Sequence, residues 1–185
     1  MSEIFVRLGE QRRPPPERHP PPQLAGGVEL PDPYLLEGSP VLLSGGFDAL
    51  GTIQILDGHR FASFQPRAGG LGAPPFARHY SNLLLVDALW RFGSVQSTGP
   101  QSLGVYVPER CPSMKVFYDF LGGGEAVPSA TFTGRAPRAD GDRLHLGSLA
   151  AWDVAGRLLL EVEGGVCRRF GEVSLVTAGD EVIGG

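Results

Sequence analysis

Hydrophobic and polar positions follow one another in short runs along most of the chain, with glycine and proline as punctuation. Gly51 to Leu56 and Arg60 to Gln65 read as strands on either side of Asp57-Gly58, which carries the Asx-Gly signal of a tight hairpin. One segment breaks this habit. From Ser81 or Asn82 to about Val95 the sequence NLLLVDALWRFGSV is apolar almost all round, with a capping residue at its start and Gly93 and Gly99 near its end. That pattern predicts a helix buried on every side, as in a core wrapped by a sheet, and not one laid on a surface with a wet face. Strand-like runs then return at Ser102–Val107, Met114–Phe120, Ser129–Gly134, Arg143–Trp152 and Arg157–Arg168. Gly122-Gly123-Gly124, Asp140-Gly141-Asp142 and Asp153 to Gly156 supply turns between them.

Two strands, a buried helix and about five further strands, joined by hairpins, would form one antiparallel sheet curling around the helix. This is an α+β architecture, the hotdog fold. A β-barrel or sandwich with an incidental helix competes with it less well, because such folds seldom need a helix that is apolar all round. Residues 10–33 contain PPP twice, several arginines and glutamates and hardly any bulky apolar side chain, a composition that favours extended, solvated backbone. The expected division is a Pro-rich linker or disordered tail over 1–34, the hotdog domain over 35–176 and a flexible C-terminal tail over 177–185. A linker before a single domain suggests tethering to, or descent from, a larger multidomain protein.

Composition narrows the classes of function. A chain of 185 residues, 42% hydrophobic and 19% charged, is an ordinary globular domain. With 16 basic against 20 acidic residues, and no basic stripe interleaved with aromatics, nucleic acid is not expected as a partner. Cys111 and Cys167 lie in no CxxC or Cys/His cluster, so they read as core thiols of a protein in the reducing cytoplasm. The longest apolar run, Leu83 to Val86, is far short of the roughly 20 residues of a membrane helix, and no signal segment precedes it, so no membrane partner or export is expected.

Candidate chemistry centres on Asp87. An aspartate in an otherwise apolar helix is costly unless it is used or paired, and Arg91 stands at i+4, able to pair with it and hold it ionised. His79 and Tyr80, just before the expected helix, could reach the same pocket as donors, although both residue types also suit surface or capping roles. Trp90 and Trp152 read as core. Asp140 and Asp142 read as turn residues, because a calcium loop wants more carboxylates and a terminal glutamate. No metal and no cofactor are expected.

Three segments from about Leu42 to Val173 are similar to the second hotdog of the double-hotdog dehydratase domains of polyketide synthases and polyunsaturated-fatty-acid synthases. LLSGGFDALGTIQIL (Leu42 to Leu56) resembles that family's Y-G-P-x-F-x-G-L segment, with Phe47 and Leu50 in register and Leu43, Ser44 and Gly45 replacing the tyrosine, glycine and proline. SNLLLVDALWRFG (Ser81 to Gly93) resembles its H-P-x-L-L-D-x-x-x-Q helix, which sets Asp87 on the catalytic aspartate and Arg91 where the family has glutamine or histidine. LGVYVPERC (Leu103 to Cys111) resembles its L-P-V-x-x-x-R strand, and Gly147 to Phe170 its closing hairpin. The family's histidine motif, H-x-x-x-G-x-x-x-x-P, fits none of His19, His59, His79 or His145.

The resemblance implies a 3-hydroxyacyl-thioester dehydratase, a lyase, acting on chains borne by an acyl carrier protein or coenzyme A. Dehydration needs a base at C2 and an acid at the 3-hydroxyl, and one carboxylate can do only one of these. The absent histidine therefore implies a histidine-bearing hotdog from another chain or a fused domain to complete the site, and the sheet edge and helix flank that a lone hotdog leaves open imply association with another hotdog domain or with itself as a dimer. Two other readings remain open: a dehydratase-like partner without chemistry that shapes products in a synthase, and an acyl-thioester hydrolase in which Asp87 activates water.

Overall fold

The computed structural model describes residues 26–66, 76–117 and 129–175, with residues 76–82 described through their backbone. Most of the Pro-rich segment, the Gly122-Gly123-Gly124 turn, the end of the Met114–Phe120 run and the C-terminal tail lie outside the described residues.

Among the described residues, twelve strands and one α-helix follow in the order β1 (Val28–Leu30), β2 (Ile53–Leu56), β3 (His59–Phe64), α1 (Phe76–Ser94), β4 (Gln96–Gly99), β5 (Ser102–Arg110), β6 (Ser113–Val116), β7 (Ala130–Arg135), β8 (Arg138–Asp140), β9 (Arg143–His145), β10 (Leu149–Trp152), β11 (Leu158–Glu163) and β12 (Val166–Ser174). All pairings are antiparallel. Asp57 and Gly58 both take positive φ, the backbone a tight hairpin between β2 and β3 requires.

The strands wrap α1 as the hotdog arrangement predicts, but their hydrogen bonding divides into two sheets, β1-β2-β3-β7-β10-β11-β6 and β4-β5-β12-β9-β8. The division falls within two runs whose pattern predicts continuous strands. Arg143–Trp152 bends between β9 and β10, and Arg157–Arg168 bends between β11 and β12. The bends are tied side by side by the Leu146 N–H, which donates to the Gly165 carbonyl at 2.8 Å. Curvature of this kind needs backbone without side chains: Gly164 has positive φ, and a Cβ on Gly165 would meet the Trp90 ring at 2.9 Å. The sheet also begins at Val28, upstream of the expected boundary at Leu35, because β1 pairs with β2.

Helix α1 starts at Phe76, earlier than its polar pattern suggests, so His79 and Tyr80 belong to the helix and not to a loop before it. Ala88 through Val95 are buried against the sheets, while Leu83 is 57% exposed and Val86 and Asp87 are half-buried. Among the residues whose side chains are described, the helix is thus enclosed from Ala88 onward and open along the flank of Leu83, Val86 and Asp87. Leu149 of β10 sits wholly buried between two glycines, Gly93 of α1 and Gly134 of β7. At the far end of α1, the fully buried Arg60 donates to the carbonyls of Phe92 and Gly93 at 3.3 and 3.2 Å and to Gln96 Oε1 at 3.4 Å. A cation there complements the negative end of the helix, and burial pulls its pKa down to about 10. Among the described residues no helix is long and apolar enough to cross a membrane.

Alanine normally exceeds glycine inside a helix by about 1 kcal/mol. At Gly93 the sign reverses, because a Cβ would come within 2.4 Å of Leu149 and the opposite side of Leu149 is already against Gly134. Gly93→Ala is expected to lower stability by about 1–2 kcal/mol net of the propensity gain. An unchanged or raised melting temperature would show that α1 does not approach β10 so closely.

Candidate functional site

The open flank of α1 faces a cleft whose other wall is the edge of β5. Strand β4 covers β5 only as far as Gly104. The next outward-pointing residue on that edge, Tyr106, would leave its backbone N–H and C=O bare, and an uncapped pair of this kind is costly when buried. Tyr34 supplies the missing partner. Its hydroxyl donates to the Tyr106 carbonyl and accepts from the Tyr106 N–H at 3.1 Å, with Ser94 Oγ at 3.4 Å. Two residues on along the same edge, Pro108 has no N–H to satisfy.

Tyr34 is held there by local chemistry that composition alone conceals. Asp32 caps the 3-10 turn Pro33–Leu35, accepting from the Tyr34 N–H at 3.1 Å, with proline at the start of the turn. Asp-Pro at the head of a short helical turn is a recognisable start signal, but it lies at the end of the proline-rich stretch and is hidden by it.

The second oxygen of Asp32 binds Nη1 of Arg91 in an ion pair buried on both sides. Arg91 Nε donates to Asp87 Oδ2 at 2.8 Å, and Nη2 donates to the Phe47 carbonyl at 2.9 Å. The i,i+4 pair predicted from the helix is present, and the guanidinium carries three attachments in all. Burial pushes the Asp32 carboxyl up from its ordinary range, and the Arg91 charge beside it opposes that rise. The Asp87 side chain is 37% exposed and stands where the helix flank is open. Its other oxygen takes no hydrogen bond among the described residues.

Above this cluster lies a cavity of about 160 Å³, lined mainly by apolar groups that include Val41, Leu43, Trp90, Val107 and Pro108, with Asp87 and Arg91 as its charged members. The segments carrying the sequence resemblance meet here: Phe47 through its carbonyl, Asp87 and Arg91 from the helix, Val107 and Pro108 from β5, and Cys167 from β12. No histidine lines the cavity among the described residues. His59 belongs to β3, His145 of β9 lies 3.7 Å from Asp140, and the side chains of His79 and Tyr80 fall outside the described residues. Asp32, Tyr34 and Tyr106 are site residues that the sequence pattern did not single out. Chemically, the arrangement offers one fixed carboxylate that accepts hydrogen bonds beside a short apolar cleft. That suffices to orient a hydroxyl or a water, and not to move two protons at once.

No family model matches the chain, and no curated protein matches its sequence. Solved structures do. The chain is similar to the bifunctional dehydratase-cyclase domain of ambruticin biosynthesis at a TM-score of 0.55 and 13% identity, covering 82% of this chain and 50% of that one. Similarity to the dehydratase domain of PpsC from Mycobacterium tuberculosis, solved in complex with C12:1-CoA, has a TM-score of 0.52 and 20% identity over 80% of this chain and 55% of that one. The dehydratase domain of the CurJ module of curacin polyketide synthase gives 0.53 and 13% over 75% and 46%. The fold is therefore the hotdog of polyketide-synthase dehydratases, and the chain spans about half the length of those domains.

The cluster predicts an order of stabilities. Asp32→Asn leaves Arg91 buried without its enclosed counter-charge and should cost about 3–5 kcal/mol. Asp87→Asn removes a partly exposed partner while Asp32 remains, and should cost about 1 kcal/mol or less. Denaturant unfolding of the two variants measures both, and the reverse order would mean that Asp32 is not the principal counter-charge.

Two neutral groups in the same wall set an alkaline limit. Burial pushes the Cys167 thiol from 9.0 and the Tyr34 phenol from 10.0 to about 12 each. Their folded pKa values are raised, so the stability they contribute is complete below about pH 9 and is lost as pH climbs toward about 12. Melting temperature should fall across that window, and Cys167→Val should flatten its first part. A variant curve that superimposes on the parent would dissociate the fall from Cys167.

Proposed function

We propose that this chain is one hotdog half of a dehydratase-like site, corresponding to the C-terminal half of a double hotdog, which holds a 3-hydroxyacyl thioester against Asp87. The thioester is borne by an acyl carrier protein or by coenzyme A, and a second hotdog provides the histidine. The observation that carries this reading is the position of Asp87, at the mouth of an apolar cleft on the open flank of the helix. A hotdog that spans about half of the dehydratase domains it resembles, and whose described cleft holds no histidine, suits a half-site better than a complete one. That second, histidine-bearing hotdog belongs to another chain or to a fused domain, and the open helix flank favours such an association.

One observation favours a second reading. Arg91 fixes Asp87 through Nε, so one carboxylate oxygen is already engaged by a protein donor and only the other can meet a ligand hydroxyl. A hotdog that binds acyl chains and shapes the product without chemistry of its own would tolerate this.

The deciding experiment incubates the purified chain with 3-hydroxyacyl and plain acyl thioesters, alone and with a histidine-bearing dehydratase hotdog, following enoyl product and free thiol separately. Enoyl product only in the mixture, abolished by Asp87→Asn in a variant that still melts cooperatively, is the expected result. Free thiol released by the chain alone would make it a hydrolase instead, and product formation insensitive to Asp87→Asn would remove Asp87 from the chemistry.

A further inference from the structure

The cleft has an uneven charge balance with a consequence for what it can hold. A lone arginine beside an apolar pocket ordinarily suggests a clamp for a carboxylate or phosphate, because guanidinium geometry matches such anions. Arg91 is not available for that. Its side chain is 4% exposed, and all three nitrogens donate to protein oxygens: Asp87, Asp32 and the Phe47 carbonyl. One cation therefore stands against two carboxylates, and the surplus negative charge lies with Asp87, the member that faces the cleft.

An anionic ligand end entering here meets a like charge in a mainly apolar surround and finds no free cation among the described lining residues, an arrangement that disfavours it. A neutral ligand end fares differently. The unoccupied oxygen of Asp87 only accepts, so it is satisfied by a hydroxyl or amide N–H on an uncharged molecule.

We propose that the Asp32–Arg91–Asp87 cluster makes this cleft selective for neutral, hydrogen-bond-donating acyl conjugates over the free acids of the same chains, with Asp32 as the residue that creates the excess charge. The inference rests on the acyl-binding reading above and deepens it by naming what is rejected. Asp32 acts through Arg91 and does not touch the ligand, so it is a positioning and charge-balancing residue. In a cell, such a cleft would discriminate a tethered hydroxyacyl chain from the fatty and hydroxy acids around it before any chemistry began.

The test measures dissociation constants by ligand-observed NMR for two probes at pH 7.5, the N-acetylcysteamine thioester of 3-hydroxybutyrate and 3-hydroxybutyrate itself. The thioester should bind the parent chain more tightly by about tenfold or more. Asp32→Asn, which makes the cluster neutral, should bring the two constants together mainly by improving the acid. If that variant does not fold, Asp87→Asn serves instead, because it removes the surplus charge at the cleft and keeps the buried pair. Equal affinities in the parent, or a preference unchanged in the variant, would overturn the selectivity while leaving acyl binding in place. Failure of both probes to bind the parent would overturn acyl binding and this proposal with it.

Discussion

The guanidinium of Arg91 joins three stretches of chain that are far apart in sequence: the helix that carries it, the 3-10 turn headed by Asp32, and the loop ending in Phe47. Two of its partners are carboxylates and one is a backbone carbonyl, so its charge is compensated and its donors are directed. The segment before the first hairpin is anchored by Leu30, Tyr34, Ala49 and Leu50 in the core, and this ion pair together with the Tyr34 hydroxyl adds directed polar ties to that apolar seating. A buried pair of this kind is expensive to desolvate and gains little over a hydrophobic substitute. Its value lies in fixing one arrangement of helix, turn and loop, and so the shape of the cleft they enclose.

Close approach of the helix to the sheet is the second constraint. Large apolar side chains fill the interior, with Phe132 stacked near Phe64 at 5.7 Å and tilted toward Phe92 at 5.6 Å. Where backbones converge, glycine replaces bulk: Gly93 and Gly134 bracket Leu149, and Gly165 lies under Trp90. These glycines allow a strongly curved layer to close over a helix whose own surface is wide, which a flat sheet could not do.

Much of this architecture was legible from periodicity. The apolar helix, the Asp57-Gly58 hairpin and most of the strand runs depend on local patterns that burial enforces directly. What periodicity missed has a common cause. The bends at Gly147 and Gly164-Gly165 interrupt runs whose hydrophobic pattern is continuous, because the pattern records which residues face inward and not which sheet they join. Phe76 to Ser81 carry too many polar residues to announce a helix, and the helix is longer than its apolar core. Of the site, Asp87 and Arg91 stood out because charge is costly within an apolar run. Asp32 and Tyr34 did not, since their importance comes from partners some sixty and seventy residues away, and their proline-rich surroundings look like solvated chain. Arg60 was hidden the same way: within a strand pattern an arginine reads as solvent-facing, and only the helix end above it accounts for its burial.

The Tyr34 phenol on the edge of β5 has one further effect. A cleft between a helix flank and an open strand is a hazard in a crowded solution, because bare N–H and C=O groups template the addition of a foreign strand and can seed fibrous assembly. Tyr34 occupies both hydrogen-bonding positions of Tyr106, and Pro108 offers no donor at the next. The edge is chemically silenced without being covered, so the chain can keep an accessible apolar cleft and still resist the polymerisation that such an opening invites.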